Sequence, residues 1–207
     1  MLDAYERALP IRLALGLAFF AVLALREAVR RGRQSPRLRE YAFLLAASAG
    51  AIIYAILNDE LTAAISPGYF LEAKGVRASA LPFRLAVALV AVKGSYWVGL
   101  LLGTALLVAN NPSSRWPPLP YASLGRIALV PVVGATAGGL AGGALFRFAG
   151  LGLEESAAAF VGWGPEVPGF LTAWGVHAGS YAGAALGGMA AVILVIRARR
   201  GAHLSEE

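Results

Sequence analysis

The sequence predicts an all-α integral membrane protein, a bundle of five transmembrane helices, on three observations. Long apolar runs recur along the chain, charge is scarce, and arginines gather between alternate runs. Of 207 residues, 58% are hydrophobic and 14% charged, against about 25% charged in a typical soluble domain. A soluble chain of this length needs a charged skin over its core, and there is not enough charge here to make one.

Each crossing takes about 20 apolar residues to span roughly 30 Å of hydrocarbon. Four windows qualify: Tyr41–Leu57, Leu85–Ala109, Ile127–Phe146 and Phe170–Ile196, with one Lys and one His between them. Backbone groups in hydrocarbon must pair within their own segment, so these windows are helices. A membrane barrel would show short segments alternating apolar and polar, and none do. Ahead of them, Leu13–Leu25 offers 13 residues between Arg12 and Arg26. If Arg12 snorkels, that helix begins near Ala8 and makes a fifth span; the alternative is a helix lying in the interface. It is a poor cleavable signal, because its positive charge follows the apolar run instead of preceding it. The second helix runs on through Leu61–Ile65 to the stop at Ser66-Pro67. The expected spans are thus about 8–26, 41–65, 85–109, 127–148 and 170–196, in a single transmembrane domain covering 1–207.

Topology follows from the arginines. Arg26, Arg30, Arg31, Arg33, Arg37 and Arg39 crowd the first loop, Arg115 and Arg126 the third, and Arg197, Arg199 and Arg200 follow the last span. All eleven fall on one side of the membrane. Arg7, Arg12, Lys74, Arg77, Arg84 and Arg147 fall on the other, balanced by Asp3, Glu6, Asp59, Glu60, Glu72, Glu154, Glu155 and Glu166. Loops rich in Arg stay cytoplasmic, which places the C-terminus inside and, with five spans, the N-terminus outside; if the first window only lies on the surface, the N-terminus is cytoplasmic and the other four spans keep their orientation. The net charge of +6 is therefore explained by topology and anionic headgroups, without nucleic acid. No cysteine is present, which excludes disulfides, thiolate metal sites and thiol catalysis.

The connections are short. "NNPSSRWPPLPY" reads as a proline-rich inner linker, and the outer stretch from Ala149 to Gly169 carries Trp163 as an interface residue. His203 in the tail reads as solvated surface. Glycines recur every four residues in the last two spans: Gly134, Gly138 and Gly142, then Gly175, Gly179, Gly183 and Gly187. Lipid gives helices no hydrophobic drive to associate, so close approach over small residues matters more. The two rows form a glycine zipper, used either between these helices or between copies of the chain. Gly99 and Gly103 make a lesser version.

Polar residues inside the spans are the candidate site. Lys93 lies eight residues from Leu85 and His177 seven from Phe170, each roughly 10–12 Å along its helix. Asp59, in the triplet Asn58-Asp59-Glu60, lies at a similar depth from Ser66. Asn58 and Thr62 share a face with Tyr54, Lys93 with Tyr96 and Trp97, and His177 with Ser180 and Tyr181. A charge in the bilayer costs about 2.5–3.5 kcal/mol, so such groups turn inward and find partners. The expected cluster is Asn58, Asp59, Glu60, Thr62, Lys93, Tyr96, His177, Ser180 and Tyr181, with Lys93 paired to Asp59 or Glu60. The bland alternative has Lys93 snorkelling, the acids capping a wet helix end and His177 donating to a carbonyl.

"YAILNDELTAAISPGYF", "GSYWVGLLLG" and "HAGSYAGAALGG" together resemble a family of small bacterial multi-span proteins. Its hallmarks are a Tyr-Gly-(Ile/Val)-(Ile/Val)-His-Asp-Gln-(Ile/Val)-Thr run followed after a few residues by Glu-Tyr-Phe, a Trp-Trp-Val-Gly segment and a later His with a Ser-Tyr pair. Asp59, Thr62, Tyr69 and Phe70 match the first motif, Trp97, Val98 and Gly99 the second, and His177, Ser180 and Tyr181 the third. Asn58 stands where the family has His and Glu60 where it has Gln. A two-histidine metal or haem site would lose a ligand by that change. The resemblance implies a shared site and no particular reaction.

Three functions fit these residues. The first is a binding or relay site for a small polar ligand, an ion or protons, built from carboxylate, amine and imidazole. The second is an assembly or accessory subunit whose glycine ridges dock a partner or a second copy. A membrane enzyme comes third, since no His-Glu-x-x-His, Gly-x-Ser-x-Gly or phosphate loop is present. No cofactor or metal is expected.

Overall fold

The computed structural model describes residues 2–32, 35–112, 116–149 and 151–204, with side chains at 15, 16 and from 18 onward apart from 78 and 202–204. Arg33 and Arg115, and the side chains of Asp3, Glu6, Arg7, Arg12 and His203, lie outside the described residues. Helix makes up 84% of the chain, and no strand occurs among the described residues.

Seven α-helices follow in order: α1 (Leu2–Arg31), α2 (Pro36–Ile65), α3 (Phe83–Ala109), α4 (Tyr121–Ile127), α5 (Val130–Phe148), α6 (Glu154–Val161) and α7 (Val167–Leu204). Between α2 and α3 lie a π-turn, Tyr69–Ala73, and a 3-10 turn, Val76–Ala78. Prolines mark the starts. Pro36 opens α2, Pro82 and Pro120 precede α3 and α4, and Pro131 stands in the first turn of α5, where a missing N–H removes no helical hydrogen bond. Among the described residues, four stretches are long and apolar enough to cross a membrane: Pro36–Ile65, Phe83–Ala109, Tyr121–Phe148 and Val167–Gly201. The protein is a multi-pass helical membrane protein.

The chain divides into two compact units, Met1–Ala46 and Ala47–Glu207. In the first, α1 ends at Gly32, whose φ of +74° is a backbone conformation open to glycine. The buried carboxylate of Glu27 accepts the Ser35 hydroxyl at 2.6 Å and faces Arg31 at 3.7 Å, so the turn is tied by a side chain on each side of it.

In the second unit α5 and α7 run antiparallel, with Gly134 facing Gly183, Gly138 facing Gly179 and Gly142 facing Gly175. A Cβ on any of the six would strike the facing carbonyl oxygen. Gly99 of α3 lies against Ala47 and Ser48 of α2, where the Ser48 hydroxyl donates to the Tyr96 carbonyl at 2.9 Å.

The connections at the end formed by Ile65, Phe83 and Val167 fold back over the helices. Tyr69, Phe70, Val76, Ala157 and Ala158 are buried there with Ala63, Val87 and Phe170. Ser66, itself buried, stops α2 and accepts the Tyr69 N–H at 3.3 Å, which starts the π-turn. Trp163 stands apart, 75% exposed. We call this the capped end.

At the far end the proline-rich segment is not the plain linker the sequence suggests. Arg199, 5% exposed, donates to four carbonyls: Ala109 at the last turn of α3, then Asn111, Trp116 and Pro117. Asn110 adds a two-way bond with the backbone of Leu119, at 2.7 and 3.0 Å. The cation answers carbonyls that the end of α3 leaves without helical donors.

Candidate functional site

Under the capped end, α2 and α7 bring two sets of polar residues together. Tyr54, Asn58 and Thr62 follow at four-residue steps on α2, with Asp59 beside them; His177, Ser180 and Tyr181 occupy one face of α7. Asp59 stands six residues before the end of α2, about 9 Å along the axis. The acidic triplet is therefore not simply the wet end of a helix. Asp59 is 5% exposed and His177 7%.

His177 Nδ1 faces Asp59 Oδ1 at 3.7 Å, and His177 Nε2 faces Thr62 Oγ1 at 3.5 Å. Thr62 donates its own hydroxyl hydrogen to the Asn58 carbonyl at 2.8 Å, with the Asp59 carbonyl at 3.1 Å. Asn58 Nδ2 reaches Asp59 Oδ1 at 3.5 Å, and Tyr54 and Ser180 meet through their hydroxyls at 3.3 Å.

Aromatic residues from the π-turn close the site toward the capped end. The Tyr69 ring stacks on the His177 ring, with centroids 4.9 Å apart and planes 22° apart. Phe70 meets the same imidazole edge-on at 5.7 Å, and Phe170 meets Tyr69 at 5.3 Å. The Lys74 ammonium lies 5.4 Å from the Tyr69 ring centroid. Although Lys74 is exposed by area, desolvation of that ammonium lowers its pKa, with the Asp59 carboxylate pulling the other way. Burial raises the Tyr69 phenol above the usual tyrosine range, helped by the charge on Asp59 and by Tyr181.

On its other side the pair opens onto a cavity of about 90 Å³ between α2, α3, α5 and α7, room for about three water molecules. Asn58, Asp59, His177 and Ser180 supply its polar end, and Ala55, Val98, Leu102, Ala135 and Ala184 line the rest. Among the described residues, no three His, Asp or Glu side chains converge as a metal ion needs.

The expected cluster is thus gathered in part. Asn58, Asp59, Thr62, His177, Ser180 and Tyr181 stand together, while three residues are placed elsewhere. Glu60 does not line the cavity and pairs with Arg84 at 2.9 Å. The cation whose field meets Asp59 is Lys74. Lys93 and Tyr96 do not line the cavity, because α3 turns Ser95, Val98 and Leu102 toward it. Two residues of helix rotate a side chain by about 200°, which puts Lys93 on the opposite face from Ser95. Depth alone suggested Lys93, and its angular position on α3 rules against it.

Sequence reasoning missed Ser95 and Lys74 as neighbours of the site. It also matched Tyr69 and Phe70 to a motif without assigning them a place over the imidazole. Their signal was an aromatic pair three residues after a helix stop.

The fold and site define a multi-pass helical membrane protein with a buried carboxylate–imidazole pair. No family model matches the chain, and no curated protein or solved structure proves similar to it.

Proposed function

We propose that the chain is a five-span protein of the bacterial inner membrane whose Asp59–His177 pair holds and passes a proton, next to a cavity that admits a small polar group. In this arrangement α1 is the fifth span, the C-terminus is cytoplasmic, the N-terminus and the capped end face outward, and the glycine rows of α5 and α7 are the seam of the bundle. The arginine distribution supports that orientation, and the resemblance to the bacterial multi-span family supports the site.

One observation carries the proton assignment: the contacts of His177. Thr62 gives its hydrogen to a backbone carbonyl, so its oxygen has only a lone pair left for Nε2. A proton on Nε2 suits that lone pair, and Nδ1 then faces the carboxylate at 3.7 Å. One further proton then belongs to the Asp59–His177 pair, carried by either partner. A buried carboxylate and imidazole facing each other are the parts intramembrane proton relays use.

The test is proton flux into liposomes holding the purified protein, followed with an entrapped pH dye. Asp59→Asn and His177→Gln bring flux down to that of empty liposomes. Wild-type flux from both folded variants overturns the relay. The accessory-subunit alternative has less behind it, since the glycine rows that would dock a partner already face each other within the chain.

A further inference from the structure

We infer that the Asp59–His177 site takes the head of an uncharged, hydroxyl-bearing lipid that enters sideways from the bilayer, with its tail in the groove between α3 and α7. This rests on the site proposed above and names its ligand class.

Access is the first argument. Toward the capped end, the imidazole is covered by Tyr69 and Phe70, 5% and 0% exposed, so no open route leads there from water. Tyr181 lines the cavity and is nonetheless 53% exposed, which makes it a residue of the cavity's mouth. It sits in the middle of a membrane-crossing helix, and its hydroxyl lies beside Gly94 of α3. The cavity is entered between α3 and α7, at the level of lipid.

The second argument is continuity. A larger groove, about 520 Å³, runs along the same two helices and is lined by Leu101, Leu102, Ala105, Met189, Val192 and Ile193 among others, all apolar. Leu102 lines both the groove and the polar cavity. From Ser180 to Ile193 is about 20 Å of helix, two thirds of the hydrocarbon thickness. A polar pocket joined to an apolar trough of that length fits one polar head on a long chain.

The third is charge. Among the described residues no Lys or Arg lines the cavity, so a phosphate or carboxylate head would enter without a cation touching it. Asp59, His177, Asn58 and Ser180 instead offer donors and acceptors in one place, which a hydroxyl satisfies in both senses.

The experiment uses the full chain in nanodiscs and a hexadecanol carrying a diazirine in its tail. After photolysis, adducts concentrate on 101–105 of α3 and 185–193 of α7. Unlabelled hexadecanol displaces them about fivefold to tenfold better than hexadecane does, the weight of a buried hydrogen bond. Hexadecanoate and hexadecylamine displace no better than hexadecane. Leu102→Trp, which fills the shared wall, lowers the same adducts; the wild-type competition stands if that variant fails to fold. Adducts spread evenly over lipid-facing positions such as Leu57 and Leu61, or equal displacement by hexadecane, overturn the inference. Preferential displacement by the acid or the amine overturns the hydroxyl assignment. If Asp59-dependent proton flux persists while hexadecanol shows no preference, the lipid falls and the relay stands. Specific displacement by hexadecanol without any flux has the reverse meaning.

Discussion

The His177 imidazole lies against the Tyr69 phenol ring, 4.9 Å between centroids and 22° from coplanar. One ring belongs to a membrane-crossing helix and the other to a π-turn in the connection after α2, so the stack joins the site to its cover. An aromatic pair adds about 0.5–1.5 kcal/mol beyond its buried area.

Loosening it follows from Tyr69→Ala. The chain has no cysteine, so Ser180→Cys gives a single thiol on the cavity wall. A membrane-impermeant maleimide applied from the capped side reacts slowly with that thiol in the parent. In Tyr69→Ala it reacts roughly two- to tenfold faster, matching the lost stack, and stability drops by about 3–5 kcal/mol as for other buried aromatics. Tyr69→Phe keeps the ring and leaves labelling unchanged. Equal rates in all three would mean that Tyr69 does not close the site.

The phenol itself gives an alkaline signature. Burial raises its pKa, so the folded state keeps a proton that the unfolded chain loses near pH 10. Its contribution is complete below that pH and is lost as pH climbs toward the folded value. Lys74 acts with the opposite sign: its pKa is lowered, so its contribution recovers as pH approaches 10.5. The difference between wild type and Tyr69→Phe isolates the phenol. In thermal unfolding, wild type declines relative to Tyr69→Phe only above about pH 10. A constant difference across that range contradicts the burial of the hydroxyl.

The glycine rows make a position-specific prediction. Gly179→Ala places a methyl against the Gly138 carbonyl, and Gly138→Ala does the same against Gly179, so the two backbones have to separate. Loss of packing along that seam costs several kcal/mol, in the range of severe core substitutions. Gly50 has open space where its Cβ would go. Gly50→Ala should be neutral or stabilise by up to about 1 kcal/mol, the helix preference of Ala over Gly. Unfolding in mild detergent, followed by helicity, separates the two outcomes; comparable stability for Gly179→Ala and Gly50→Ala rejects the close approach.

How much was legible can be read from these same residues. Apolar length identified the helical membrane class, and the four-residue glycine steps were visible in the same way, because both are periodic properties of one segment. His177 and Asp59 were visible as polar exceptions to apolar surroundings. Lys93 was just as visible but does not line the cavity, because similar depth says nothing of which way a helix is turned. The rotation of α3 is set by Gly99 lying on Ala47 and Ser48, a contact between segments about fifty residues apart. The cover by Tyr69 and Phe70 depends likewise on how a connection folds back, which no repeat in the sequence records.

Arg199 shows the same limit and yields the last prediction. In sequence, Arg197, Arg199 and Arg200 are equivalent cations after the final apolar run. In the structure Arg197 is exposed and Arg200 lies over the Trp116 ring at 4.7 Å, whereas Arg199 is buried and donates to four carbonyls, one at the end of α3 and three in the connection that follows. Hydrogen bonds from a charged donor contribute about 1.5–3 kcal/mol each, and loss of a network this size leaves buried carbonyls unpaired. Arg199→Ala should therefore destabilise the protein by several kcal/mol and expose the connection from Asn110 to Pro120 to protease. Arg199→Lys should rescue little, since an ammonium is a point donor and cannot reproduce the planar fork that reaches carbonyls on separate sides. Arg197→Ala removes the same charge from the same turn of helix and should change stability by less than about 0.5 kcal/mol. Limited proteolysis of the three variants in detergent decides the matter: equal cutting in Arg197→Ala and Arg199→Ala would reduce Arg199 to one more positive charge, while selective cutting in Arg199→Ala and Arg199→Lys establishes it as the clasp between α3 and α7.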